Sequence, residues 1–213
     1  MARTSILHPV VYQRERVNPP LHTFTLKNPD VSGARQQQSI FLITGDTQGG
    51  KTSYLFELVK LLRKRGLSVG GFLAPGSFES GERSGFKLKN ITSGVELEMA
   101  STKETAAWIK FRRFWFNPDA FLQGKEWIRA SLQTEPDVIV IDEVGPMELE
   151  GLGWCETLEL LKSSSIRVQL WSVRENLAEE VKKRWDIPYS HVIHINETEA
   201  YQAADQIGIL AKK

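Results

Sequence analysis

One stretch limits the fold more than any other: "SIFLITGDTQGGKTSYLFELVKLLRKRG", residues 39–66. It opens on a continuous apolar run, turns through glycines and continues as an amphipathic pattern. The run ending at Thr44 reads as a strand buried on both faces, as in a parallel sheet covered by helices. Leu55, Leu58, Val59 and Leu62 then recur at helical spacing, and "RKRG" supplies last-turn cations and a Gly66 stop. Between strand and helix lie Gly45, four residues, Gly50, Lys51 and Thr52, the Walker A spacing.

The glycines have a physical purpose. Gly45, Gly49 and Gly50 permit backbone torsions that other residues avoid, and they let the chain approach an anion closely. Successive N–H groups then turn inward around a phosphate, helped by the positive end of the following helix. Lys51 is expected to reach the outer phosphates and the Thr52 hydroxyl to hold magnesium. The expected phosphate-binding set is Gly45, Asp46, Thr47, Gln48, Gly49, Gly50, Lys51, Thr52 and Ser53. The plain alternative, a glycine-rich turn, is disfavoured by the strand before it and the helix after it.

Such a loop needs a carboxylate near the metal at the end of another strand. "DVIVIDEVG" is a second fully apolar run, and it ends in Asp142 and Glu143. Asp142 suits the metal side, directly or through water, in the manner of a Walker B aspartate. Neighbouring strand residues point to opposite faces, so Glu143 is not expected to share that task. At the strand tip it is placed to orient and deprotonate a water that attacks the γ-phosphate. The alternative is a pair of solvated carboxylates closing a strand.

The remaining chain alternates strands with helices. "LSVGGFLA" reads as a strand, "RSGFKLKNITSGVELEMA" as a hairpin, "KFRRFWF" as one strand, and "PDAFLQGKEWIRASLQ" as a helix beginning near Pro118. After the acidic pair, Trp154, Leu158 and Leu161 mark a helix, "IRVQLWSVR" a strand, Leu177, Val181 and Trp185 a helix, "HVIHI" a strand, and 197–211 a last helix. The order predicts an α/β fold with a mostly parallel sheet and helices on both faces, plus an inserted β-hairpin. Residues 1–37 differ: Pro9, Pro19, Pro20, Pro29 and "GARQQQ" predict an N-terminal extension and linker, with one strand at "HTFTLK". The domain proper is then 38–213.

Composition excludes several classes. The chain is 41 % hydrophobic and 25 % charged with a net charge of +1, which argues against nucleic acid as a partner. No apolar run nears the ~20 residues of a membrane span. No signal-peptide pattern is read, so a cytoplasmic location is expected. The lone Cys155 sits in a helical pattern and reads as a core thiol. His194, in "HVIHI", reads as structural.

"VIVIDEVGPMELEG", taken with "GDTQGGKTS" and "GERSGFKL", resembles the THEP1-type nucleoside-triphosphatase family over roughly residues 39–196. Met147-Glu148-Leu149 is the most specific part. The resemblance implies a RecA-like P-loop fold, and magnesium-dependent hydrolysis of ATP, GTP and other nucleoside triphosphates. The chain departs from the family pattern in its loop interior, Asp46-Thr47-Gln48-Gly49, in "LAPGSFESGE", and in its leading 37 residues.

Within such a fold Arg174, ending the strand at "SVR", is a candidate for sensing transferring charge, against a surface arginine beside Glu175. Arg83 is a candidate to cover the phosphates, against a solvated turn residue. Glu148 is a candidate to position a second water or to brace the site, against a first-turn acidic residue favoured by the helix dipole. "KFRRFWFNPDAF" interleaves cations with aromatics, and an amphipathic strand is the favoured reading over a base-stacking wall.

The expected reaction is hydrolysis of the β–γ bond, with Lys51, Glu143 and Arg174 catalytic and Thr52 and Asp142 at the metal. Two alternatives stand beside it. One is a kinase whose acceptor site is built from 83–100 and 108–127; the other is a nucleotide-dependent switch using residues 1–37. Nothing in the sequence specifies a base, a protein partner or a homo-oligomer.

Overall fold

A computed structural model of the chain describes residues 38–188 and 191–212. The N-terminal segment with its expected strand at "HTFTLK" lies outside the described residues.

In chain order the strands and helices are β1 (Ser39–Gly45), α1 (Lys51–Lys64), β2 (Val69–Leu73), β3 (Gly76–Glu79), β4 (Glu82–Asn90), β5 (Glu96–Ser101), β6 (Ile109–Phe111), β7 (Phe114–Phe116), α2 (Pro118–Thr134), β8 (Val138–Val144), α3 (Pro146–Leu149), α4 (Cys155–Lys162), β9 (Val168–Arg174), α5 (Ala178–Trp185), β10 (Val192–His194) and α6 (Ala200–Ala211). One sheet runs β10-β1-β9-β8-β2-β4-β5-β7-β6, with β3 paired to β4.

The first five strands in that order are parallel, as the apolar runs predicted. Chain order and sheet order differ where it matters. β9 lies between β1 and β8, so the strand ending in Arg174 separates the glycine loop from the acidic pair. Both connections place helices on the sheet faces.

Side chains alternate between two cores. On one face Phe41, Ile43, Val138, Val140 and Leu170 pack against Leu55, Leu58 and Leu62 of α1 and Ile207 of α6. On the other, Leu42, Ile139, Ile141, Trp171 and Val173 pack against Ile128 of α2, Leu158 of α4 and Val181 of α5. Burying each such side chain contributes roughly 1.5–3 kcal/mol.

The far edge is antiparallel and larger than the single hairpin expected. β4 and β5 form that hairpin, turned at Asn90, whose Oδ1 accepts from Thr92 N and Ser93 N at 2.8 Å each. β3 extends it. "KFRRFWF" is two strands, β6 and β7, reversing at Arg112 and Arg113, with Arg112 at a φ of 54°. α2 starts at Pro118 as expected, and the Asn117 side chain caps it by accepting from Asp119 N at 3.0 Å.

Candidate active site

The loop between β1 and α1 folds as its glycines require. Gly50 sits at a φ of 92°, and Gly49 N donates to Asp46 O at 3.0 Å, which tightens the turn. α1 starts with no side-chain cap and no acidic residue in its first turn. Its first N–H groups and the positive end of its dipole are therefore left for an anion. The Lys51 side chain is 7 % exposed, with Nζ donating to Gly45 O at 3.1 Å and Asp46 O at 2.7 Å. Burial lowers its pKa from the ordinary lysine value, and the charges of Glu143 and Asp142 oppose that shift.

A cavity of about 260 Å³ opens over this helix start. Gln48, Gly49, Gly50, Lys51, Thr52 and Ser53 line it from one side, and Arg83 and Glu143 from the other. Gly45, Asp46 and Thr47 do not line it. Asp46 contributes its carbonyl to the turn, and the residue is exposed.

The acidic pair divides its work through a bulge. Asp142 is 1 % exposed, and its Oδ2 accepts from Ala74 N at 2.9 Å. Its Oδ1 accepts from the Ser172 hydroxyl and from Glu143 N. Ser172 Oγ in turn accepts from Glu143 N at 2.9 Å. The pairing of β8 with β9 shifts register between Ile141 and Val144, and Glu143 takes a φ of 63°. A left-handed glutamate is strained, and a bulge re-aims its side chain. Glu143 thus leaves strand alternation and lines the phosphate-loop cavity, where Arg83 Nη1 meets its Oε1 at 3.4 Å. Burial, then the charge of Asp142, raise the Glu143 pKa above the ordinary value, against the pull of Arg83, Arg174 and Lys51.

Arg83 and Arg174 take different places. Arg83, on β4, lies 5.6 Å from the Phe78 ring centroid and 4.8 Å from that of Phe86, and its buried Nε has no hydrogen-bond partner among the described residues. It faces the loop. Arg174 pairs in register with Gly45 but lines a second cavity, which shares Glu143 with the first and none of the phosphate-loop residues.

Glu148 is a brace. It is 3 % exposed, and its carboxylate accepts from Gly145 N at 2.8 Å and Trp154 N at 2.9 Å. These bonds tie down the turn that follows Glu143. Burial raises its pKa to about 7, and the backbone N–H groups only partly offset this. Sequence reasoning missed Ser172. Its signal was a lone hydroxyl inside an apolar strand, "LWSV".

Among the described residues no group of three or more His, Cys, Asp or Glu side chains could hold a metal ion. Magnesium does not need such a cage, since it takes one or two protein oxygens together with phosphates and waters. The Thr52 hydroxyl at the cavity and the carboxylates fit that hard-oxygen chemistry. Three donors already occupy Asp142, against about four acceptor sites on a carboxylate, so it suits contact through water. Cys155 is buried, and no helix among the described residues is long and apolar enough to cross a membrane.

Known proteins resemble the chain in sequence and in fold. Residues 40–204 match a family model described as NTPase. The nucleoside-triphosphatase THEP1 of Methanothermobacter thermautotrophicus is 31 % identical over 68 % of this chain and 82 % of its own. That of Sulfurisphaera tokodaii is 37 % identical over 50 % of this chain; the match spans 61 % of that relative, under two thirds of its length. Two solved structures share the fold. A human cancer-related nucleoside triphosphatase aligns with a TM-score of 0.58 at 22 % identity, covering 81 % of this chain and 96 % of that one. THEP1 from Aquifex aeolicus aligns with a TM-score of 0.58 at 20 % identity, covering 80 % and 98 %.

Proposed function

Because the chain belongs to the THEP1-type nucleoside-triphosphatase family, we propose that it hydrolyses the β–γ bond of ATP, GTP and other nucleoside triphosphates with magnesium. One observation carries the residue-level reading. Glu143 is turned by its bulge into the cavity floored by the loop amides, Lys51 and Thr52, and an arginine holds it there.

In this reading the N–H groups at the start of α1 and the Lys51 ammonium bind the β- and γ-phosphates. Thr52 would hold magnesium directly and Asp142 through water; bound there, the metal would neutralise phosphate charge. Glu143 accepts a proton from a water, which attacks the γ-phosphorus as the β–γ oxygen bond breaks toward the diphosphate. A carboxyl with a raised pKa is a stronger base once ionised. Arg83 keeps Glu143 in place and brings its positive charge to the cavity wall. Ser172 holds Asp142 and the Glu143 backbone together. Arg174 shares a cavity wall with Glu143 and adds positive charge to the site.

The test is phosphate release from four nucleoside triphosphates with magnesium. Lys51→Ala is expected to abolish nucleotide binding. Glu143→Gln is expected to bind nucleotide normally and lose about 10²–10⁴-fold in kcat, the usual contribution of a general base. Near-normal turnover by Glu143→Gln would refute its role.

A further inference from the structure

The phosphate-loop cavity changes character along its length. From Glu143 one wall runs to Arg83, 3.4 Å away, and from Arg83 to Phe78, whose ring centroid lies 5.6 Å from the guanidinium carbon. The facing wall is the start of α1, where Lys51, Thr52 and Ser53 give way to Phe56. Phe56 follows Ser53 by three residues and Thr52 by four, so it stands on the same helix face. It lies about 7.5 Å along the helix axis from Lys51. Both walls thus pass from charged groups to an aromatic ring. Among the described residues that line this cavity, Phe56 and Phe78 are the aromatic ones.

The hairpin sets Phe78 in place. The pairing of β3 with β4 shifts register after Ser77, passing over Ser84, and so puts Phe78 opposite Arg83. Side chains directly opposite share a sheet face, here the one toward the cavity. Gly76 leaves them room: a Cβ there would stand 3.1 Å from the Phe78 ring and 3.0 Å from Arg83 Nε. Phe78 is 56 % exposed, so it gains little from packing within the chain. Phe56 is half-buried and packs against the core on the α1 face of the sheet.

We infer that Phe56 and Phe78 form the nucleobase seat of this cavity, which holds the base of the bound triphosphate by its flat faces and does not read its edge. This rests on the nucleotide reading above and names how that substrate is gripped. With the γ-phosphate at Glu143 and Lys51, the nucleoside leaves toward the other end of the cavity, where the two rings stand. Stacking suits every base, since each has a π-face. Edge readout needs free donors and acceptors. Pro75, the remaining apolar residue of that end, has no N–H, and its carbonyl accepts from Lys87 N at 2.8 Å. A larger ring system stacks more area, so purine triphosphates bind ahead of pyrimidine ones.

The experiment measures binding by equilibrium dialysis with magnesium, on the full chain carrying Glu143→Gln so that the ligands stay intact. The ligands are ATP, GTP, CTP, UTP and inorganic tripolyphosphate, which has the charge and no base. Phe78→Ala removes a largely exposed ring and leaves the core intact. It is expected to weaken each nucleotide about tenfold relative to tripolyphosphate, the effect of losing one stacked ring. Phe78→Trp, which keeps a stacking face, is expected to stay within about threefold of the parent. The four bases are expected within about a hundredfold of one another, the reach of apolar contact alone. An unmoved ratio of ATP to tripolyphosphate affinity in Phe78→Ala overturns the inference; equal weakening of both ligands is one such result and would give the ring a role at the phosphates. A loss in Phe78→Trp equal to that in Phe78→Ala overturns it too, as does a preference for one base beyond about a hundredfold. Phosphate release by the wild type separates the two readings. Release with an unmoved ratio sinks the seat alone; a moved ratio without release sinks hydrolysis alone; failure of every ligand to bind sinks both.

Discussion

Replacing Glu148 by glutamine should tilt the pH dependence of stability in a calculable way. The folded protein holds this carboxyl's pKa at about 7, against 4.5 for the ordinary group. The folded state therefore keeps a proton that the unfolded chain releases. The wild type draws full benefit below the unfolded value, and loses it as pH rises from 4.5 through about 7. At 1.36 kcal/mol per unit, that gap is on the order of 3 kcal/mol. Glutamine does not ionise, so this slope vanishes. It also keeps only one acceptor oxygen for the Gly145 and Trp154 N–H groups, which costs about 1–3 kcal/mol at every pH.

Urea unfolding of both proteins near pH 5 and near pH 8 reads the difference, and other titrating groups cancel in the comparison. The glutamine variant is expected to be less stable at the lower pH. Across the interval it should gain most of about 3 kcal/mol relative to the wild type. A constant gap, or one that widens as pH rises, would refute the reasoning. It would mean that the two backbone donors outweigh burial and keep the carboxylate charged at an ordinary pKa.

Three further outcomes follow from the same geometry. Ser172→Ala removes the hydroxyl between Asp142 and the Glu143 backbone; it should cost about 1–3 kcal/mol in urea unfolding and lower kcat about tenfold at unchanged KM. Wild-type kcat with normal stability would show that the bulge holds without it. Gly71→Ala places a Cβ 2.1 Å from Val140 O at a φ of 98°, against backbone that cannot yield, so a loss of about 4 kcal/mol or more is expected by the same assay. A loss under about 1 kcal/mol would contradict that packing. Because the Glu143 pKa is raised, kcat/KM should fall with acid through a midpoint above 4.5; a limb at or below that value in a pH–rate profile counts against Glu143 as the base.

The parallel half of the fold was legible because each of its signals is local. Apolar runs, a glycine loop and helical spacing all lie within one element and its neighbours. The antiparallel half was harder. β6 and β7 reverse through Arg112 and Arg113 with no glycine or proline between them, so the pair read as one strand. β3, "GSFE", has too little apolar alternation to announce itself. Arg83 was weighed as a solvated turn residue; its place against Phe78, Phe86 and Glu143 depends on β4 pairing with β2, a contact between distant segments.

The acidic pair shows why a correct rule can reach the right division of labour by an incomplete route. Strand alternation predicted that Asp142 and Glu143 would not share one task. Alternation alone, however, would send Glu143 to the opposite face from Asp142, with no reason to meet the phosphate loop. What brings it there is a bulge against β9, and the bulge is held by Ser172 from a strand 30 residues away in sequence from Asp142. That strand lies beside both β1 and β8 only because the sheet order departs from chain order. The strain at Glu143 is thus a property of two strands together. The residue that fixes it, Ser172, carried no motif to mark it in the sequence, and a motif search centred on the loop and the acidic pair passes over it.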